Sequence, residues 1–107
     1  MRLALVCAWG VAALLSGSGT AVAKGPMDGC PALIVETFGD RADGACRIAW
    51  CESTWDPSAT GRAGERGWFQ IHPIHGPALS SYDPETNVLA AYQLSRGGRD
   101  WSQWSCA

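Results

Sequence analysis

Two stretches, IAWCESTWDP (48–57) and GWFQIHP (67–73), decide how this chain folds. Working back from Ser53, residues Ala42, Ala45, Cys46, Ala49 and Glu52 recur at i, i+3, i+4, i+7 spacing and share one stripe. That periodicity predicts a helix over Arg41–Ser53, capped by Asp40 and with Asp43 in its first turn. Glu52 then sits on the edge of an apolar stripe, one turn after Ile48 and beside Trp50 and Trp55. It is also close to the helix C-terminus, whose partial negative charge disfavours an ionised carboxylate. Desolvation acts in the same direction. Both effects suit a carboxyl group that must donate a proton near neutral pH. On position alone, a solvated glutamate at a helix end is the simpler reading.

Outward from this helix, Pro31–Phe38 reads as a short helix opened by Pro31 and stopped by Gly39. A third helix is expected over Pro84–Arg96, with Asp83 as cap, Val88, Ala91, Tyr92 and Leu94 as apolar weight, and Gly97 as the stop. Between the second and third helices, Asp56-Pro57 and the glycines at 61, 64 and 67 mark a loop. Trp68–His72 is expected to form one or two helical turns before Pro73. The tail WSQWSC (101–106) is short and aromatic.

The first 23 residues read as a leader rather than as part of the fold. Arg2 precedes an apolar run over Leu3–Leu15 and a small polar stretch, and Ala21-Val22-Ala23 forms an A-x-A cleavage signal, placing the cut before Lys24. The run is too short for a bilayer, which takes about 20 apolar residues. Cys7 stands too early to be a lipid-modified cysteine. One small domain, residues 24–107, remains.

Ten acidic residues face eight basic ones, of which only Arg2 falls in the leader, and no basic stripe stands out. This argues against nucleic acid and against an anionic membrane surface as partners. Cys30, Cys46, Cys51 and Cys106 remain after the leader, an even count that reads as two disulfides formed in an oxidising compartment. A metal site is not expected, because no C-x-x-C spacing occurs and His72 and His75 lack a partner pair; no cofactor is expected either. On one helix Cys46 and Cys51 would point about 140° apart and differ by about 7.5 Å in height, so they cannot pair with each other. Two connectivities remain. A helical hairpin about Gly39 brings Cys30 level with Cys46 and favours Cys30–Cys46 with Cys51–Cys106.

The order ES-x-WDP (52–57), GWFQIHP (67–73) and DPETNV (83–88) resembles the lytic transglycosylases of the lysozyme-like superfamily. That family carries E-S, a polar residue with proline, G-L-M-Q-I-x-P, and a D-P-x-x-N-I helix start. Each motif is unspecific alone, but all three occur in order, with 18 residues from Glu52 to Gln70. With its tail, the chain is similar to small actinobacterial members and to resuscitation-promoting-factor domains. The resemblance implies a mainly α, small lysozyme-like helical domain stapled by two disulfides. It also implies a secreted monomer acting on peptidoglycan glycan strands outside a bacterial cell or in its wall.

Carried over by position, the resemblance makes Glu52 the catalytic acid and Gln70 a residue lining the sugar cleft. Ser53 and Asn87 become structural hydrogen-bonding positions. Trp68 takes the family's leucine position and is a candidate sugar contact. Thr60 is another, beside Gly61, where larger members often have a serine near the acetamido group. The family's late A-Y-N motif has no counterpart, and Tyr92 is not placed to replace it. Trp50 and Trp104 are expected in the core, and His72 and His75 at a loop or cleft rim. Asp56, the one carboxylate close to Glu52 in sequence, sits before Pro57 and reads as a turn residue. The implied reaction is cleavage of the MurNAc-β-1,4-GlcNAc bond with closure of a 1,6-anhydro ring. Plain hydrolysis, as in a lysozyme, is the nearest rival. A non-catalytic wall-binding or signalling module would not need Glu52 and Gln70 together, and a stapled toxin or inhibitor would not need the ordered motifs.

The A-x-A site and the even cysteine count generate a first expected outcome. N-terminal sequencing of secreted protein should begin at Lys24, and thiol titration should find no free cysteine. Retention of Met1 would remove the leader assignment.

Overall fold

The computed structural model describes residues 28–107, so the leader expected over 1–23 and its cut before Lys24 lie outside the described residues. Three helices form the frame: α1 (Ala32–Phe38), α2 (Ala42–Ser53) and α3 (Pro84–Leu94), with short 3-10 turns at Gly39–Arg41 and Pro73–His75. Among the described residues there are only isolated bridges, Thr60 with Arg66 and Arg66 with Ile71, and no strand longer than that. No helix among them is long and apolar enough to cross a membrane.

α1 packs against both α2 and α3. It contributes Ile34 and Phe38, one turn apart, while α2 offers Ala42, Ala45, Cys46 and Ala49. These small side chains let the two backbones approach closely. Phe38 is the aromatic hub, its ring 5.8 Å from Phe69, 5.4 Å from Tyr92 and 5.6 Å from Trp101. Both expected disulfides are present. Cys30–Cys46 fixes the start of α1 to the middle of α2, and Cys51–Cys106 fixes the end of α2 to the tail, with Cα separations of 5.9 and 6.0 Å.

Several local expectations are corrected. Asp40 makes no cap: the chain passes from α1 into α2 through a 3-10 turn, and Arg41 stands at the N-cap of α2 without a side-chain bond. Asp83 does cap α3, accepting from Thr86 N–H at 2.9 Å. That helix stops at Leu94 rather than Arg96, because Arg96 itself turns left-handed (φ 56°). Gly97 N–H then returns to Tyr92 O at 2.8 Å and Arg96 N–H to Gln93 O at 3.2 Å, closing a Schellman turn. Trp68–His72 forms turns and a bridge instead of helix, since Gln70 is left-handed at φ 50°. Trp50 is 44 % exposed and not in the core. Trp104 is buried as expected.

The loop that replaces those helical turns is nailed to α3 by one side chain. Asn87, fully buried, accepts Phe69 N–H at 2.9 Å and donates to Arg66 O at 2.7 Å and Ser81 O at 2.9 Å. Gly67 permits this approach. Its φ of 79° is left-handed, and a Cβ there would collide with the Asn87 amide. Leaving buried backbone groups without partners costs about 1–3 kcal/mol each. Asn87→Ala should therefore lower stability by about 3 kcal/mol in urea unfolding with an unchanged m-value. A loss under about 1 kcal/mol would show that water replaces the amide.

Candidate active site

Glu52 lies in the last turn of α2, and the chain reverses immediately after it. Thr54 (φ 50°) and Trp55 (φ 60°) are successive non-glycine residues in the left-handed region, each costing about 1–3 kcal/mol. Local bonds hold them there. Thr54 N–H donates to Trp50 O at 2.7 Å. The Trp55 indole N–H donates to Cys46 O at 3.0 Å, and its ring meets Trp50 edge-on at 4.9 Å. Ser53 Oγ lies 3.0 Å from Ala49 O and 2.8 Å from Trp68 O, so the residue beside Glu52 ties the helix end to the 67–73 loop.

Glu52 opens onto a cleft of about 350 Å³. Three further segments line it: the loop from Gly61 to Gln70, the turn with His72 and His75, and the tail at Gln103–Ser105; Ile71, Leu94 and Trp104 supply apolar surface. Trp104 is fixed by its indole N–H, which donates to Phe69 O at 2.8 Å. Gln70 is equally constrained, its Nε2 donating to Ala59 O at 3.1 Å and Gly67 O at 3.0 Å.

Burial of its carboxyl is the main influence on Glu52 and pushes its pKa above the ordinary glutamate value. The tail opposes this: Cys106 N–H and Ser105 Oγ–H each donate to Glu52 Oε2 at 3.3 Å, favouring the anion. The negative charge of Glu65 pushes the pKa up again. Glu52 thus keeps its proton to higher pH than a free glutamate.

Of the residues expected at the site, Glu52 and Gln70 share the cleft, with His72 and His75 beside them. Trp68 and Thr60 are directed elsewhere. The Trp68 indole N–H donates to Trp55 O at 3.0 Å and its ring packs against the core, while the Thr60 hydroxyl bonds the Tyr82 hydroxyl. Neither lines the cleft. Asp56 stays outside it as well, fully exposed in a turn whose Ser58 N–H and hydroxyl bonds lower its pKa. Glu65, Arg62, Gln103 and Ser105 are cleft residues that sequence reasoning missed. For Ser105 a signal existed, because pairing Cys106 with Cys51 necessarily carries the tail to Glu52. Among the described residues no three His, Cys, Asp or Glu side chains gather as a metal centre would require.

The titration of Glu52 tests these influences directly. Carbon-detected NMR should place its midpoint above the ordinary glutamate range. Ser105→Ala, which removes one donor to the anion, should move the midpoint further up. A downward move would reverse the role given to the tail.

A family model described as a lysozyme-like domain matches residues 32–106. No curated protein and no solved structure matches the chain. The matched span takes in all three helices, the whole cleft and the disulfide beside Glu52. The chain belongs to the lysozyme-like domain family.

Proposed function

We propose that this protein is a secreted peptidoglycan lytic transglycosylase that cleaves the MurNAc-β-1,4-GlcNAc bond, with Glu52 as its acid and base. The observation that supports this best is the half-buried Glu52 carboxyl, raised in pKa, at an open cleft where Gln70 is locked in place. Secretion rests on the leader and on the two disulfides, which persist in oxidising compartments.

Glu52 donates its proton to the glycosidic oxygen as the C1–O bond breaks and the bonding pair leaves with that oxygen. The substrate's acetamido carbonyl oxygen stabilises C1. The Glu52 carboxylate then takes the proton from the muramyl 6-hydroxyl, whose oxygen bonds to C1 and closes the 1,6-anhydro ring. Cys106 N–H and Ser105 suit this cycle, since they stabilise the anion that exists between the two proton transfers. The second reading is hydrolysis. It is favoured by the second carboxylate, Glu65, in the same cleft, because glycosidases commonly use a pair.

Mass spectrometry of muropeptides released from purified peptidoglycan separates the two routes, since anhydro ends are lighter by one water than reducing ends. Glu52→Gln should cut the rate by about 10²–10⁴ while the fold and sugar binding survive. Asp56→Asn, altering an exposed turn, should stay close to wild type. Full activity in Glu52→Gln would overturn the site.

A further inference from the structure

Arg62, His72 and His75 line the cleft from two turns that touch. Gly64 N–H closes the first turn onto Gly61 O at 3.0 Å, and His75 N–H closes the second onto His72 O at 3.1 Å. A Cβ on Gly64 would stand 3.2 Å from Pro73 Cγ, at a φ of 89° that glycine adopts without strain. His72 Nδ1 accepts Ile74 N–H at 3.0 Å, so the ring hydrogen is on Nε2, a donor left over for the cleft. Arg62 and His72 are exposed. Neither the Arg62 guanidinium nor the His75 ring has a hydrogen-bond or ionic partner among the described residues. Other arginines are occupied: Arg47 pairs with Asp43, Arg66 donates to Ser80 O and covers the Tyr82 ring, and Arg99 donates to Arg96 O. Glu65 shares the cleft without pairing to Arg62; its Oε1 accepts Ala63 N–H at 3.0 Å and faces Gly61.

Donors that include a fixed positive charge, with no acceptor supplied by the protein, fit an anion with at least two oxygens. A guanidinium fork matches a carboxylate in shape as well as in charge. The sugar rings of a glycan strand offer hydroxyl and acetamido groups, none of them charged. Carboxylates occur on the arm attached to the muramyl 3-oxygen. They are the lactyl carboxylate where the peptide stem has been removed, and the stem's own carboxylates where it is present. Resting on the peptidoglycan-cleaving reading, we propose that Arg62, with His72 and His75, forms a carboxylate-binding rim that selects strands by this side arm. The carboxylate docks from solvent onto the exposed Arg62 and His72, so it takes no space from Glu65 or Gln70. The rim touches no reacting atom. It sets how tightly a strand is held, not how the proton moves.

The test measures strand binding by NMR titration in a Glu52→Gln background, so that no strand is cut. Three preparations are compared: strands with intact stems, strands stripped to free lactyl carboxylates, and strands whose carboxyls are capped as neutral methylamides. A strand with carboxylates should bind about tenfold more tightly than its capped counterpart, the scale of one charge-assisted hydrogen bond. That preference should weaken as salt is raised and disappear in Arg62→Gln. Arg62 is exposed at a turn, so this variant keeps the fold. In His72→Asn the new amide oxygen can still accept Ile74 N–H, and the preference should shrink. Tighter binding of stem-bearing strands assigns the carboxylate to the stem, and tighter binding of stripped strands assigns it to the lactyl group; either supports the rim. Equal binding of charged and capped strands, or a preference undiminished in Arg62→Gln, overturns it while leaving the cleavage reading intact. A carboxylate preference in a protein whose wild type leaves peptidoglycan uncut overturns the proposed function alone. Absence of binding to every strand overturns both.

Discussion

A buried loop without secondary structure must find partners for its backbone, and this molecule solves that problem with side chains. Phe69 is fully buried, yet its segment forms only turns and an isolated bridge. Its N–H goes to Asn87 and its carbonyl to the Trp104 indole, while the carbonyl of Trp68 goes to Ser53 and that of Ile71 to Ser80. Buried backbone groups are almost always paired, so each of these side chains is a condition for the loop to enter the core at all. Three of them come from three separated stretches of sequence: the end of α2, the start of α3 and the aromatic tail. ES, DPETN and WSQWSC therefore occur together for one physical reason. They are the hydrogen-bonding complement of a single loop, and that loop presents Gln70 to the cleft beside Glu52.

The helices were legible because their signals are local. The stripe from Ala42 to Glu52, the Asp83 cap and the Gly39 break each act within a few residues. The disulfide pairing was legible because helix geometry forbids Cys46 from meeting Cys51 and a hairpin about Gly39 brings Cys30 level with Cys46. Where satisfaction comes from far along the chain, local patterning fails. Trp68–His72 looks like helical turns until Asn87 and Trp104, 18 and 35 residues away from Phe69, take its backbone groups. Trp68 itself turns inward for the same reason, held by the carbonyl of Trp55. Glu65 was illegible because no local pattern ties it to Glu52; only the folded loop brings the two carboxyls to one cleft.

The Glu52 carboxyl is governed by opposed influences of different origin. Burial between apolar side chains disfavours the charge, and the tail's donors favour it. The first comes from burial of the carboxyl in the cleft wall, the second from a backbone N–H held in place by Cys51–Cys106. The balance leaves neither charge state prohibitively unstable, which is what the proposed acid and base role of Glu52 requires.

The two disulfides close consecutive rings, 30–46 and 51–106, that neither overlap nor enclose one another. Of the three ways to pair four cysteines, this is the one whose rings are separate rather than nested or interleaved. A chain oxidised from its N-terminal end meets Cys46 as the first partner for Cys30, and the helix bars Cys46 from Cys51 thereafter. Cys51 is left with Cys106 alone. Oxidative folding can thus proceed in chain order without slow thiol–disulfide reshuffling, and the last bond made is the one that brings the tail to Glu52.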